Sequence, residues 1–183
     1  MKKQKTACIE DNKKRGEWVE LKFMAEAAER NLPTSKPYGD SENFDVVVGR
    51  PGKFVGVQVK STVCREKTGY VCNVSSGSGN QAYTVGSFDF LAAYIVPENV
   101  WYIIPAKLIL DKTAISLYPH SPATKYERYR EAWELLRDAV AVKSEESLHT
   151  EEASLRVEES ASPNRIESRM MGAFQFVRRQ WER

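Results

Sequence analysis

The sequence contains few of the side chains that most often carry enzyme chemistry, because it has only two histidines and three cysteines among 183 residues. The histidines, His120 and His149, are too few for a histidine-rich metal site and argue against a Ser–His or Cys–His nucleophile. The cysteines, Cys8, Cys64 and Cys72, are odd in number and lack metal-ligand spacing, which favours a reducing compartment. Any catalysis is therefore expected from carboxylates, lysines or hydroxyl groups.

The sequence also lacks long apolar stretches. No run approaches 18 consecutive apolar residues without a charge, so a transmembrane helix is not expected. The first 17 residues are rich in basic side chains, but the apolar segment of a secretory signal does not follow them. We therefore predict a cytoplasmic protein with no membrane partner.

The length of the chain predicts one ordinary domain with an appendage. Residues 144–163 are acidic, rich in serine and nearly free of large apolar side chains, which predicts a flexible linker. Residues 164–183 carry apolar side chains at helical spacing, which predicts a C-terminal amphipathic helix. The main domain is predicted to span residues 1–143. It carries 21 Lys and Arg against 17 Asp and Glu, a weak indication of a polyanionic partner.

Hydrophobic periodicity predicts an α/β domain, with a mixed sheet of about five strands flanked by helices. Helices are predicted over residues 12–31 and 125–140, because apolar side chains recur there at steps of three and four. Five strands are predicted from short apolar or alternating segments. They lie at residues 44–48, 54–60, 70–74, 91–96 and 101–104, and an edge strand is expected at 114–117. The first two strands form a hairpin around the turn Gly49-Arg50-Pro51-Gly52.

Several polar side chains occupy positions where apolar neighbours predominate. Glu20 falls inside the apolar arc of the first predicted helix, where a carboxylate is costly unless it is paired or bound to a metal. Glu17 also falls in this arc, but it lies near the N-terminus, where the helix dipole stabilises an acid. Asp45 interrupts an apolar strand, and Gln58 and Lys60 share one face of the next strand. These positions need a structural or chemical reason.

The predicted hairpin brings Asp45 near Gln58 and Lys60, and the first helix can place Glu20 against them. Carboxylate oxygens bind hard cations such as Mg²⁺, which can clamp a phosphate. Such a cation stabilises the charge that grows during phosphodiester hydrolysis, and a nearby lysine can stabilise it further. The grouping therefore indicates metal-assisted phosphodiester hydrolysis. The alternative is that Gln58 and Lys60 are ordinary solvated strand residues.

Longer motifs around these residues carry a family resemblance. They are KKRGEWVELK, YGDSENFDVVV, VQVKST, DFLAAYIVPENVWYIIP and KYERYREAW. With these motifs, residues 13–143 resemble the PD-(D/E)XK nuclease superfamily, and within it the branch of group I intron-encoded homing endonucleases. The resemblance implies a restriction-endonuclease-like fold. It also implies site-specific, divalent-metal-dependent cleavage of double-stranded DNA.

The resemblance assigns catalysis, and the binding of Mg²⁺ or Mn²⁺, to matching positions of the motifs. These positions are the helix acid Glu20, the strand acid Asp45, Gln58 and Lys60 of the acid-x-Lys motif, and the main-chain carbonyl of Val59. Glu17 is the less favoured register for the helix acid. Gln58 departs from the family pattern, because most members have Glu or Asp there. An amide offers an oxygen without a charge and attracts Mg²⁺ less strongly, but Gln is a familiar variant in this branch.

Polar residues around the predicted site are candidates for contacts with DNA. They are Lys13, Lys14, Arg15, Ser61, Arg65, Lys67, Ser76, Ser78 and Asn80. Cations can meet phosphates, and small hydroxyl or amide side chains suit backbone or groove contacts, although each residue could equally be an ordinary surface group.

The sequence leaves the assembly and the type of nuclease open. Because one site cuts one strand, double-strand cleavage implies a homodimer or a larger homo-oligomer. One alternative function is a Holliday-junction resolvase or a restriction- or repair-type nuclease of the same superfamily. Another is a non-catalytic DNA-binding protein in which Gln58 marks a degenerate site.

Overall fold

The computed structural model describes residues 9–39, 42–77 and 80–141. Strands occur at β1 (Thr34–Ser35), β2 (Val46–Arg50), β3 (Lys53–Thr62), β4 (Arg65–Glu66), β5 (Gly69–Asn73), β6 (Phe90–Ile95), β7 (Val100–Pro105) and β8 (Ala114–Leu117). The α-helices are α1 (Asn12–Glu29) and α2 (Glu134–Val140). The predicted linker and C-terminal helix lie outside the described residues. Among the helices of the described ranges, none combines the length and apolarity that crossing a bilayer requires.

Helix α1 begins where the sequence provides a cap. The Asp11 side chain accepts a hydrogen bond from the Lys14 N–H at 2.9 Å, which satisfies one of the free donors of the first turn. The helix ends at Glu29, and Asn31 takes a left-handed conformation with φ of 58°. Val19, Phe23 and Ala27 form its buried face. The predicted helix over residues 12–31 is therefore confirmed to within two residues at its end.

The central sheet has five strands in the order β1-β2-β3-β6-β7. Strands β2 and β3 form the predicted antiparallel hairpin, and β6 and β7 form a second antiparallel pair. Strands β3 and β6 run parallel, with Val57 opposite Phe90. This parallel pair makes the sheet mixed, because the other neighbouring strands are antiparallel. The predicted class, a mixed five-stranded sheet flanked by helices, is confirmed.

The membership of the central sheet differs from the prediction. The strands predicted at 70–74 and 114–117 correspond to β5 and β8, which pair with each other and with β4 in a separate three-stranded sheet. The fifth strand of the central sheet is instead β1, two residues within the turn-rich segment that follows α1. Alternation along a strand reveals that one face is buried, but it does not identify the partner strand.

Each face of the central sheet has its own apolar cluster. On one face, α1 and α2 cover Val55, Val57 and Val59 of β3, so the alternation predicted for this strand is confirmed. On the other face, β5 and β8 cover apolar side chains of β6 and β7, with Tyr70 and Leu117 among the buried residues. Because both faces are covered, Gln58 and Thr62 of β3 are buried, and Lys60 and Ser61 near its end are only partly exposed.

The predicted helix over residues 125–140 is wrong for most of its length. A short 3-10 helix occupies Glu127–Tyr129, and the α-helix proper is confined to Glu134–Val140. Between them Glu131 has φ of 52°, and its N–H donates to the Trp101 carbonyl at 2.9 Å. Its carboxylate also accepts the Trp101 N–H at 2.7 Å. The helix is interrupted because this segment satisfies the free edge of β7, a tertiary demand that periodicity does not reveal.

Candidate active site

Asp45 is held by the backbone of the β2–β3 hairpin. Its N–H donates to the Val57 carbonyl at 3.0 Å, which extends the strand pairing by one residue. Its carboxylate oxygen Oδ2 accepts two hydrogen bonds, from the Val59 N–H at 2.8 Å and from the Gln58 amide at 2.5 Å. The predicted proximity of Asp45 to Gln58 is thus present in the structure. Both of these hydrogen bonds fall on Oδ2, and none from another described residue falls on Oδ1.

Burial raises the pKa of Asp45 from 3.8 to about 6. The Val59 N–H and the positive charges of Lys60 and Lys36 lower it, whereas the negative charge of Glu20 raises it. Removal from water is the largest contribution, so the local cations do not compensate fully for the buried charge. A buried carboxylate with a raised pKa beside a second carboxylate is an environment that a cation would stabilise.

Glu20 and Asp45 line the same cavity, which has a volume of about 430 Å³. Its walls are formed by the start of α1, by residues 36–39 after β1, and by residues 42–45 before β2. Glu17, the alternative acid, lies on the same wall as Glu20. The Glu20 carboxylate is paired with the Lys36 ammonium at 2.6 Å. The structure therefore places both candidate helix acids on the Asp45 cavity, but only Glu20 in this ion pair.

Lys60 lies on β3 two residues after Gln58, on the same face of the strand. Its ammonium stands 5.7 Å from the centre of the Tyr83 ring, a cation–π contact. Its charge reaches Asp45, whose pKa it lowers. Lys60 is thus electrostatically coupled to the Asp45 carboxylate, while its ammonium lies over the Tyr83 ring.

The oxygen atoms near Asp45 suit a hard divalent cation. Within residues 9–39, 42–77 and 80–141, no group of three or more His, Cys, Asp and Glu side chains could hold a metal ion. Two carboxylates, those of Asp45 and Glu20, nevertheless line the same cavity. Carboxylate oxygens suit a hard divalent cation and not a soft metal. The residues present therefore fit the cation that the family resemblance implies.

Gln58 presents its amide nitrogen to Asp45, whereas a metal ligand would present its oxygen. Only 6% of its surface is exposed, and its amide nitrogen faces the Asp45 carboxylate and the Val59 carbonyl. Rotation of the amide by 180° would present its oxygen instead. In the conformation observed, Gln58 fixes Asp45 by donating a hydrogen bond, a role that a glutamate at this position could not perform when ionised.

The predicted DNA-contacting residues are spread over several elements. Lys13 lines the cavity, whereas the Arg15 guanidinium donates to the Ile9 carbonyl at 3.0 Å and to the Asn12 side chain. Arg65 stands over the Tyr70 ring at 6.0 Å. The other described candidates are partly or fully exposed, and Ser78 lies outside the described residues. These others are Lys14, Ser61, Lys67, Ser76 and Asn80.

Lys36 is the residue of the site that the sequence did not indicate. It lies in the segment interpreted as a turn-rich connection, and a single lysine between Ser35 and Pro37 carries no motif. Lys36 follows directly after β1, in which Ser35 pairs with Val47, so its backbone lies near the start of β2 and near Asp45. Recognising it would have required prediction of a two-residue strand.

Comparisons with known proteins identify the family of the chain. The model of a family described as PD-(D/E)XK endonuclease matches residues 10–136. The chain is similar in structure to the bacterial homing endonuclease I-Ssp6803I, with 27% identity and a TM-score of 0.63 over 73% of this chain and 99% of that one. The Holliday junction resolvase Hjc of Archaeoglobus fulgidus, an archaeal hyperthermophile, matches with 13% identity and a TM-score of 0.45 over 67% of this chain and 96% of that one.

No curated protein sequence matches the chain. The family match nevertheless covers more than half of the sequence and includes Glu20, Asp45, Gln58 and Lys60. It confirms the resemblance to the nuclease superfamily that the motifs had indicated. The chain belongs to the PD-(D/E)XK endonuclease family.

Proposed function

We propose that this protein is a divalent-metal-dependent DNA endonuclease whose catalytic residues are Glu20, Asp45, Gln58 and Lys60. The observation that carries this proposal is the local geometry of Asp45. Its Oδ2 is fixed by Val59 and Gln58. It shares a cavity with Glu20. Its pKa responds to Lys60. Membership of the endonuclease family supports the same reaction.

Asp45, Glu20 and the Val59 carbonyl would hold Mg²⁺ or Mn²⁺, with the Gln58 oxygen as a further ligand after rotation of its amide. The cation would supply Lewis-acid stabilisation of the charge on the scissile phosphate. Asp45 needs no rearrangement to serve as a ligand, because the backbone N–H of Val59 already orients its carboxylate. Such preorganisation lowers the cost of binding a cation and a phosphate together.

Lys60 would stabilise negative charge and orient the attacking water. Its position on the same strand face as Gln58 keeps it within electrostatic reach of Asp45. The Tyr83 ring, 5.7 Å from the ammonium and only 5% exposed, provides a rigid surface that restricts where the ammonium can move. A lysine held in this way can donate to a phosphate oxygen without losing much conformational freedom.

The substrate would be double-stranded DNA, cut at specific sites in the manner of a homing endonuclease. The similarity to a bacterial homing endonuclease over almost all of that chain supports this choice. One catalytic centre per chain implies that two copies act together on the two strands of a duplex. Contacts with DNA would come from Lys13 on the rim of the cavity and from exposed polar residues of the loops.

Nicking of supercoiled plasmid tests the proposal directly. With Mg²⁺, Asp45→Asn and Lys60→Met should each lower the cleavage rate by about a thousandfold or more, because each removes charge from the reacting centre. Asp89→Asn and Lys53→Met are matched controls. Asp89 also accepts an N–H of β3, from Gly56 at 2.7 Å, and Lys53 lies at the start of the same strand.

We expect the two controls to retain cleavage within about threefold of the wild type, and excess chelator to abolish it in all proteins. Chelator-resistant cleavage by the wild type, or equal activity of Asp45→Asn, would contradict the proposal. Mapping of the broken ends on genomic-library DNA then tests site specificity. Preferential cutting of four-way junctions would show that the substrate is branched DNA and not a linear site of the homing type.

A further inference from the structure

The cavity that contains Asp45 has an excess of negative charge. Its charged lining residues are the acids Glu17, Glu20, Glu42 and Asp45 and the lysines Lys13 and Lys36. Lys36 is the lysine that forms a close ion pair there, at 2.6 Å from Glu20. Glu17 and Asp45 also attract its ammonium, and the hydrogen bond to Glu20 raises the pKa of Lys36 above its usual value. Lys36 therefore forms an ion pair with one carboxylate of the cavity and is attracted by two others.

The position of Lys36 is set by the edge of the central sheet. Thr34 and Ser35 pair antiparallel with Val48 and Val47. Continuation of this register by one residue places Lys36 opposite Val46, directly beside Asp45. Strand β1 ends at Ser35, and Pro37, which cannot donate a hydrogen bond to the ladder, follows Lys36. The backbone at the end of β1 therefore places Lys36 where its side chain lines the cavity.

The two partners of this ion pair differ in exposure. The Lys36 side chain is 54% exposed, whereas that of Glu20 is only 19% exposed. The lysine can therefore leave for solvent by rotation of its flexible side chain, while the glutamate stays on the cavity wall. Departure without a replacement cation would leave Glu20 and Asp45, whose charges already repel each other, without their shared counterion.

We propose that Lys36 is an intramolecular counterion of the active site, which neutralises Glu20 when no divalent cation is bound and is released when the cation enters. The inference rests on the proposed function, because it takes Glu20 and Asp45 as the acids that receive the cation. Once released, the ammonium stands at the cavity mouth, where a DNA phosphate is its natural partner. Lys36 thus acts as a positioning residue that couples cation binding to DNA binding.

This coupling predicts opposite effects of Lys36 on the two ligands. A divalent cation must displace the ammonium from Glu20, so removal of the lysine should make cation binding tighter. DNA without a cation meets a lysine already paired with Glu20, so its removal should have little effect. DNA with a cation meets a free ammonium, so removal should weaken binding.

Calorimetric titration of the full-length protein with Mn²⁺ alone measures the first effect. Lys36→Met and Lys36→Gln should bind Mn²⁺ about three- to tenfold more tightly than the wild type, the range expected for one partly screened charge at this distance. Lys36→Arg keeps the charge and should remain within about twofold. Lys22→Met is the matched control, because Lys22 forms an ion pair of 2.7 Å with Glu26 on the same helix as Glu20.

DNA affinity, measured by fluorescence anisotropy with a labelled duplex, gives the second readout. With Ca²⁺ as a cation that occupies the site without supporting cleavage, Lys36→Met should bind about three- to tenfold more weakly than the wild type. In chelator the two should agree within about twofold. Equal weakening in both conditions would identify a plain phosphate contact and overturn the counterion role.

The same titrations separate this inference from the proposed function. Asp45→Asn should abolish Mn²⁺ binding at the site. If wild-type Mn²⁺ binding depends on Asp45 but Lys36→Met and Lys36→Gln leave its affinity unchanged or weaker, the counterion role of Lys36 is wrong and the metal site stands. If the wild type shows no Asp45-dependent Mn²⁺ binding, both proposals are wrong. Two substitutions at Lys36, each with a melting curve, guard against loss of the fold.

Discussion

The two sides of the cavity hold their carboxylates in different ways. On the strand side, Asp45 is fixed by a main-chain N–H and by the buried Gln58 amide, so its orientation is built into the hairpin. On the helix side, Glu20 is held through one ion pair with Lys36, whose side chain is mostly exposed. One acid is thus positioned by the fold itself, and the other by a side chain that can move.

This difference has a physical consequence for ligand binding. A backbone-held acid loses no conformational freedom when a cation arrives, but its burial raises its pKa and costs stability while the site is empty. An acid held by a mobile lysine is neutralised in the empty site and can be released to a ligand. The strand side therefore provides a fixed ligand, and the helix side provides an adjustable one.

The largest effect expected on the helix side distinguishes its two acids, Glu20 and Glu17. Glu20→Gln should lower the rate of plasmid nicking with Mg²⁺ by about 100- to 1000-fold, because it removes one of two charged ligands from the centre. Glu17→Gln should lower it by about threefold or less, since Glu17 lines the cavity but is not the acid paired with Lys36.

Both variants remove one negative charge from the same helix, so they control for the net charge of the protein. The measurement is the initial nicking rate at saturating Mg²⁺, together with a melting curve for each variant. A greater loss of nicking rate in Glu17→Gln than in Glu20→Gln would identify Glu17 as the catalytic acid of the helix. The contrast between a backbone-held Asp45 and a lysine-held Glu20 would then not apply to the active site.

Substitution of the two acids should have a smaller effect on the free energy of unfolding. Asp45→Asn is expected to raise it and Glu20→Gln to lower it. The pKa of Asp45 is raised to about 6 from 3.8, so the folded protein favours the protonated form. The resulting stability is fully present below the unfolded pKa and is lost as the pH rises through about 6. In chelator, Asp45→Asn should therefore be more stable than the wild type by about 3 kcal/mol at pH 8 and nearly equal to it at pH 3.5.

Urea unfolding at the two pH values measures this difference. Glu20→Gln is the comparison variant, and at pH 8 it should be less stable than the wild type by about 0.5 kcal/mol, because it loses an ion pair with a largely exposed lysine. The asparagine retains an oxygen that can accept from Val59, so the hydrogen bond that orients residue 45 survives. Destabilisation of Asp45→Asn at pH 8 would contradict the environment described for Asp45.

The same contrast explains which parts of the structure the sequence predicted. The β2–β3 hairpin was predicted because its apolar alternation, its glycine-containing turn and its short loop are all local properties. The helix over residues 125–140 was wrong because Glu131 satisfies main-chain groups of β7, far away in the sequence. The separate sheet of β5 and β8 was missed for a related reason, since pairing partners are not encoded in alternation.

In the site, too, the residues positioned by local pairing were predicted, and those positioned by contacts distant in the sequence were not. Asp45 and Gln58 were predicted as neighbours because a hairpin determines which residues face each other. Lys36 was missed because its place depends on a two-residue strand at the sheet edge. The orientation of the Gln58 amide could not be predicted from the sequence either, because it depends on which oxygen atoms surround the buried side chain. The catalytic and metal-binding roles of the four motif residues remain predictions that the variants above test.

The smallest expected effect concerns two neighbouring cations at the start of α1. Lys13 is exposed on the cavity rim, whereas the Arg15 guanidinium is engaged with the Ile9 carbonyl and the Asn12 side chain. Lys13→Met should weaken DNA binding by about threefold at 0.1 M salt and reduce the slope of log K against log salt by about one. Arg15→Met should leave that slope unchanged and lower the free energy of unfolding by about 1 kcal/mol.

Anisotropy titrations at several salt concentrations, paired with urea unfolding, distinguish the two outcomes. Both variants lose one positive charge, so a general loss of long-range attraction would weaken DNA binding equally in both. A reduced slope for Lys13→Met alone would place a phosphate beside the cavity that contains Asp45 and Glu20. A reduced slope for Arg15→Met alone would mean that its contacts with Ile9 and Asn12 open when DNA binds. The helix side would then be adjustable at its N-terminus as well as at the ion pair of Glu20 with Lys36.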